Sequence, residues 1–286
     1  MSTPQTGTKP YYFVPQPSHW PITGSCGLLL MAAGAAAWFN SYPIGPWLLL
    51  AGLALLLTMM FGWFGRVIDE SERRLYNHRV DISFRWGMGW FIFSEVMFFA
   101  AFFGALFYVR NLSVPWLGDL EQKLLWPDYT AAWPTMGPYL KEAFTPMGAI
   151  GVPLLNTILL LSSGATITVA HYALKDGRRG ALKLWLFLTI ALGVTFLCFQ
   201  AYEYTHAYSE LNLKLSSGVY GSTFFMLTGF HGFHVTVGAI MLSVMLVRIF
   251  GGHFDAQHHF AFEATTWYWH FVDVVWLLLF VLVYWL

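Results

Sequence analysis

Seven stretches of this chain, at 21–39, 46–65, 87–109, 150–172, 184–202, 219–247 and 264–286, carry two charged residues between them, Glu95 and Asp273. A helix rising ~1.5 Å per residue needs about 20 apolar residues to cross a hydrocarbon core ~30 Å thick. Continuous apolar runs do not alternate with period two, which excludes a transmembrane β-barrel. The expected fold is an all-α membrane protein with seven transmembrane helices. Composition agrees: at 57% hydrophobic and 10% charged, with mean hydropathy +0.55, the chain has too little polar surface for a water-soluble domain of 286 residues.

An odd number of crossings puts the termini on opposite sides, and the basic residues set the direction. With the N-terminus inside, Lys9, Arg66, Arg73, Arg74, Arg79, Arg85, Lys175, Arg178, Arg179, Lys183 and Arg248 are inner, while Arg110, Lys123, Lys141 and Lys214 are outer. Eleven against four gives N-in, C-out. The expected organisation is an inner tail over 1–20, helices one and two over 21–65, a basic inner loop over 66–86, and a five-helix bundle over 87–286 with an outer loop at 110–149. That loop carries Trp116, Trp126 and Trp133, residues suited to a lipid–water interface or to covering a partner subunit. Leu28–Ala37 has the length of a signal-peptide apolar region, but the Pro-rich, weakly basic start favours an uncleaved first span.

Balanced charge, fifteen basic and fifteen acidic residues, gives no reason to expect a nucleic-acid partner. Cys26 and Cys198 are far apart in apolar spans and are expected as small core hydrophobes rather than a disulfide or a metal site. No nucleophile–base arrangement, phosphate loop or nucleotide fingerprint occurs, so no catalytic centre is expected in this chain.

Polar residues inside the spans are then the candidates for function. Glu95 lies roughly 12 Å into its segment, where an ionised carboxylate costs at least ~2.5 kcal/mol. It is therefore protonated, paired or facing something polar, and a proton-relay role and a buried hydrogen-bonding role stand level. Ser94 points to another helix face. His231 and His234 are three apart and share a face, as do His270 and Asp273. Haem or copper ligation by the histidines is the sharper reading. Hydrogen bonding within a packed bundle is the plainer one, and it is preferred. Glu203 and Glu263 sit near helix ends, where a structural charge reaches the headgroups. The cluster Arg66, Asp69, Glu70, Glu72, Arg73, Arg74 is a solvated helix extension or a site for anionic lipid headgroups. Arg248, with His253, His258 and His259 downstream, is a second such place.

Four blocks in order carry a resemblance: FSEVMFFAAFF at 93–103, VPLLN with SGATITVAH at 152–156 and 163–171, GVYGSTFFMLTGFHGFHV at 218–235, and HHFAFEATTWYWHFVDVVW at 258–276. The chain resembles subunit III of cytochrome c oxidase, the haem–copper terminal oxidase. The resemblance implies that helices one and two are split from helices three to seven by a V-shaped cleft filled with phospholipid. It also implies no haem or copper in this chain, those belonging to partner subunits I and II, which pass electrons from cytochrome c to oxygen. Subunit III supports proton uptake by subunit I, its main contact, and protects it from inactivation during turnover, while its lipids line a route for oxygen. Glu95 corresponds to the family's carbodiimide-reactive glutamate, a protonated carboxyl in an apolar setting. Glu70, Ser71 and Arg248 match positions near lipid headgroups.

Arg66, His78 and His253 join that lipid-facing set on electrostatic grounds. The chain departs from the family at YNHRVDISFRWGMGW, where Asn77 replaces one histidine of a pair. Its longer tail and outer loop lean towards a bacterial inner membrane over a mitochondrial one. Other readings stay open: the third subunit of a quinol oxidase, which usually has fewer spans, or of a related haem–copper oxidoreductase, the more remote nitric oxide reductase accessory proteins, and a proton-coupled transporter using Glu95 and Asp273. Transporters place broken helices at the midplane, whereas here Pro146 and Pro153 fall near a helix start.

Overall fold

The computed structural model describes residues 11–140 and 142–285, so Lys9, Lys141 and the first half of the expected tail lie outside the described residues. Among the described residues, seven helices are long and apolar enough to cross a membrane. They are α1 (Trp20–Phe39), α2 (Gly45–Glu72), α3 (His78–Tyr108), α4 (Val152–Lys175), α5 (Arg179–Ser209), α6 (Gly218–Phe250) and α7 (Phe260–Leu279). A π-helical turn, Val109–Ser113, prolongs α3, and another, Phe280–Trp285, prolongs α7. All regular structure among the described residues is helical.

The expected basic loop at 66–86 is corrected: helix persists to Glu72 and resumes at His78. Ion pairs one turn apart, Arg66–Glu70 at 3.3 Å and Asp69–Arg73 at 3.0 Å, support the helix where the apolar run has ended. Asn77 caps the next one. Its Oδ1 accepts from the backbone N–H groups of Arg79 and Val80, both at 3.1 Å, satisfying two otherwise free donors of α3.

Two compact units divide the chain between Phe84 and Arg85, within the first turns of α3. In the first, α1 and α2 form a hairpin in which backbone meets backbone. Gly27 and Gly34 are seven residues apart, as are Gly45 and Gly52, a spacing that returns to one helix face every two turns. A Cβ added at Gly34 would lie 2.5 Å from the Leu49 nitrogen, and one at Gly52 would lie 2.7 Å from the Met31 nitrogen. Leu29, Trp47 and Phe61 point outward. Tyr11 and Phe13 of the tail pack on the turn before α3: Asn77 Nδ2 donates to the Tyr11 carbonyl at 3.2 Å, and the Arg79 guanidinium stacks on the Tyr11 ring at 3.8 Å. Phe13 meets Tyr76 edge-on at 5.6 Å. The Tyr76 hydroxyl donates to Glu70 Oε2 at 2.9 Å, and burial together with that carboxylate pushes the phenol above its usual range.

In the second unit, α4, α5, α6 and α7 pack as a ring, each against two neighbours. Hydrogen bonds cross every seam. Thr166 and Thr189 join α4 to α5 at 2.8 Å, Tyr204 and Thr228 join α5 to α6 at 2.7 Å, and His231 Nε2 meets the Val272 carbonyl of α7 at 3.3 Å. Trp269 and Trp276 of α7 close the ring, donating to Ser163 at 2.9 Å and Thr157 at 3.0 Å on α4. Trp269 is fully buried, and glycines on two further helices make room for it. A Cβ at Gly193 or Gly238 would stand 2.6 or 2.8 Å from the indole. The portion of α3 in this unit is held through side chains: Phe98 on Phe230, Phe99 on Phe271, and Arg85 paired with Glu263 at 2.8 Å.

Two expectations fail here. Cys26 and Cys198 are exposed on their helices rather than in the core. Glu203, placed by sequence at a headgroup, is 1% exposed and lies inside the ring. The π turn after α7 brings Tyr284 over it, and the phenol donates to Glu203 Oε1 at 2.6 Å.

Candidate functional site

Glu95 on α3 and His234 on α6, 139 positions apart in sequence, meet at 2.8 Å between Oε2 and Nε2. Sequence reading supplied Glu95 without a partner, since only packing could select among ten histidines. The Glu95 side chain is 23% exposed, against 9% for His234. The carboxyl sits at the edge of the bundle because α3 lies outside the four-helix ring.

The hydrogen-bond pattern shows where the pair can hold a proton. His234 Nδ1 faces the Phe230 carbonyl at 2.6 Å, and a carbonyl can only accept, so Nδ1 bears a hydrogen. Nε2 then either accepts from a protonated Glu95 or carries a second proton and donates to the carboxylate. In both forms one proton lies between oxygen and nitrogen and the pair is neutral in sum. Removing it would leave a carboxylate facing a lone pair. Phe99 edge-on at 5.0 Å, Tyr268 stacked at 6.4 Å and Phe271 at 6.3 Å surround the imidazole, keeping the local dielectric low. The arrangement can hold one proton and move it between two atoms.

A second pair follows the same rule. The single hydroxyl hydrogen of Thr168 goes to the Gly164 carbonyl at 2.8 Å, so the 3.2 Å contact between Thr168 and His270 Nε2 has the imidazole as donor. His270 Nδ1 then faces Asp273 Oδ2, 3.4 Å away. Asp273 is buried against Gly164, whereas the His270 side chain is 43% exposed. His231 points into the ring between Phe196 and Trp276, where its Nε2 meets the Val272 carbonyl. Among the described residues no three His, Cys, Asp or Glu side chains gather in the manner of a metal site.

The six residues expected to face lipid headgroups fall in both units. In the first, Arg66, Ser71 and His78 are exposed, and Glu70 is held by Arg66 and Tyr76. In the second, Arg248 is buried, its Nε 3.3 Å from His253 Nδ1 and its guanidinium 4.2 Å above the Phe254 ring. Sequence reading missed Arg179, which donates to the carbonyls of Gly252, His253 and Phe254 at 3.1, 3.2 and 2.6 Å and so shapes the turn that follows Arg248. No local pattern marks a contact 75 residues away. In the same connection Asp255 accepts from the backbone of Gln257 and His258. Slight burial works against its charge, but these donors and the His258 imidazole hold the carboxyl below its usual range.

Comparison with known proteins places this geometry in context. A family model described as cytochrome c oxidase subunit III matches residues 9–286. Relatives named cytochrome c oxidase subunit 3 include one from Oryctolagus cuniculus, 43% identical over 281 residues with 97% of each chain covered. Another, from Latimeria chalumnae, is 44% identical over 275 residues, covering 96% of each. A third, from Felis catus, is 44% identical over 281 residues, again with 97% of each chain covered.

Proposed function

The chain belongs to the cytochrome c oxidase subunit III family, and from that premise we propose that it is the non-catalytic, lipid-holding subunit of its oxidase complex. It supports proton uptake by subunit I and protects that subunit while the complex reduces oxygen and pumps protons. The carrying observation is a match to subunit III proteins that covers 96–97% of the chain at 43–44% identity. Haem and copper reside in subunits I and II, and cytochrome c delivers its electrons there. The orientation is N-in, C-out in a bacterial or mitochondrial inner membrane, as the basic residues favour.

Support for a supporting role comes from how the intramembrane polar groups are engaged. Glu95 and His234 satisfy each other, and His270 is engaged by Thr168 and Asp273. Such pairs keep protonatable groups in hydrocarbon at tolerable cost because each is neutral in sum. The exposed Arg66, Ser71 and His78 can reach a phosphate headgroup at one charged end of the molecule.

The test is removal of this subunit from the purified complex. The depleted oxidase is expected to begin oxygen reduction at a normal rate and then lose activity during turnover, with phospholipid lost in parallel. A depleted complex that stays active through many turnovers would overturn the proposal.

A further inference from the structure

Eight buried side-chain nitrogen and oxygen atoms among the described residues have no hydrogen-bond partner in the protein, and six of them belong to Asn156, Gln200, Glu203 and His231. All four residues lie inside the α4–α7 ring, at 0%, 6%, 1% and 0% exposure respectively. Buried polar atoms without partners are rare in folded proteins, and several in one place call for a physical cause.

Ring contacts and helix register place these residues on neighbouring turns of the ring interior. Trp276 bonds to Thr157, the neighbour of Asn156, and its ring meets Phe196 at 4.7 Å and His231 at 5.1 Å. Gln200 lies one turn beyond Phe196 on the same face of α5, and Glu203 nearly one turn further. The Thr166–Thr189 bond sets the antiparallel register of α4 against α5, which brings Asn156 level with the residue before Gln200. Tyr284, delivered by the π turn, completes the group at Glu203; such turns are frequent at functional sites.

The chemistry of the group asks for a small guest that both donates and accepts. His231 Nε2 faces a carbonyl and so carries the ring hydrogen, which makes Nδ1 an acceptor in the neutral ring. The Gln200 and Asn156 amides each offer donors and an acceptor. Glu203 Oε2 needs one more partner whether it bears a proton or not. Each unpartnered atom has under 1 Å² accessible, so even a water enters only when side chains rotate, and no larger ligand has room. Water, which takes two to four polar partners, fits this donor and acceptor set after small side-chain rotations.

We propose that the group formed by Asn156, Gln200, Glu203, His231 and Tyr284 binds ordered water and forms a hydrated carboxyl site inside the bundle, separate from the Glu95–His234 pair. A map of the intact oxidase complex at a resolution that shows waters tests this directly. The expected result is at least one peak about 2.6–3.2 Å from both Glu203 and the Gln200 amide. A map without such a peak, with Gln200 bonded straight to Glu203, would overturn the proposal.

Infrared spectra of the complex give a second reading. The carboxyl stretch that Glu203→Gln removes is expected to shift in D2O. A stretch that stays fixed through prolonged exchange would count against hydration. The triple variant Gln200→Leu/Glu203→Leu/Tyr284→Phe replaces these polar partners with apolar groups of similar size, which a packed core tolerates better than losing one. The same map of that variant is expected to lose the peak beside these positions. A peak that persists there would show that the water does not depend on them, and would refute the assignment.

Discussion

The α1–α2 hairpin and the α4–α7 ring are both helix assemblies built for a membrane, yet they cohere by opposite means. In the hairpin the large side chains face outward and glycines bring the two backbones together. In the ring the largest side chains, Trp269, Trp276, Phe196 and Phe224, face inward, and side-chain hydrogen bonds cross every seam. Apolar residues gain little by leaving lipid for protein, so helices in a bilayer must associate through close packing or polar contact. The hairpin uses the first and the ring relies heavily on the second. The ring should therefore be most sensitive to loss of an interior side chain, and the hairpin to gain of one.

The largest effect is expected from Trp269→Ala. The change empties a space that Gly193 and Gly238 shape for the indole and leaves Ser163 without its donor. Truncation of a buried tryptophan costs about 3–5 kcal/mol, read as a lower midpoint in detergent denaturation of the subunit. A loss under about 1 kcal/mol would mean that the ring does not depend on its central tryptophan.

Next comes Gly34→Leu, which adds a side chain where only backbone can give way. Overpacking of this kind costs about 1–3 kcal/mol. Cysteines placed across the α1–α2 contact should cross-link less efficiently, while pairs across the α4–α5 seam keep their wild-type efficiency. Equal losses in both places would erase the contrast between the regions.

How much of this contrast was legible in the sequence depends on whether its cause is local. Helix count and rough span positions follow from uninterrupted apolar runs, a property of each segment alone. The ring's polar residues were also visible as candidates, because His231, His234, His270 and Asp273 stand out in apolar surroundings. Their partners were not, since Glu95–His234 and Tyr284–Glu203 are made by helices far apart in sequence, the latter through a π turn that no residue pattern announces. The seven-residue glycine spacing of the hairpin was readable and is the signal that could have located its contact face. Glu203 was misjudged because nearness to a helix end was taken for nearness to water.

Helix α3 begins in one unit and continues in the other, so its two anchors sharpen the comparison. At the first, Asn77→Ala removes the side-chain acceptor for two backbone donors. The expected cost is about 1 kcal/mol, seen as faster hydrogen exchange over residues 78–81 with residues near Glu95 unchanged. Faster exchange along the whole of α3 would show that the helix responds as one body.

At the second anchor the smallest effect is expected. Gln in place of Glu95 keeps the length of the side chain and offers an amide N–H to His234 Nε2, whose neutral ring already has its hydrogen on Nδ1. The bond survives in the form that mimics a protonated carboxyl, so Glu95→Gln should leave assembly of the complex unchanged. Glu95→Leu takes the partner away and leaves Nε2 unsatisfied, at about 1–3 kcal/mol. The two variants together locate the proton. If Gln assembles as wild type and Leu does not, the hydrogen bond is what α3 requires and charge separation is dispensable. If Gln fails alongside Leu, the carboxylate–imidazolium form is the one that ties α3 to α6.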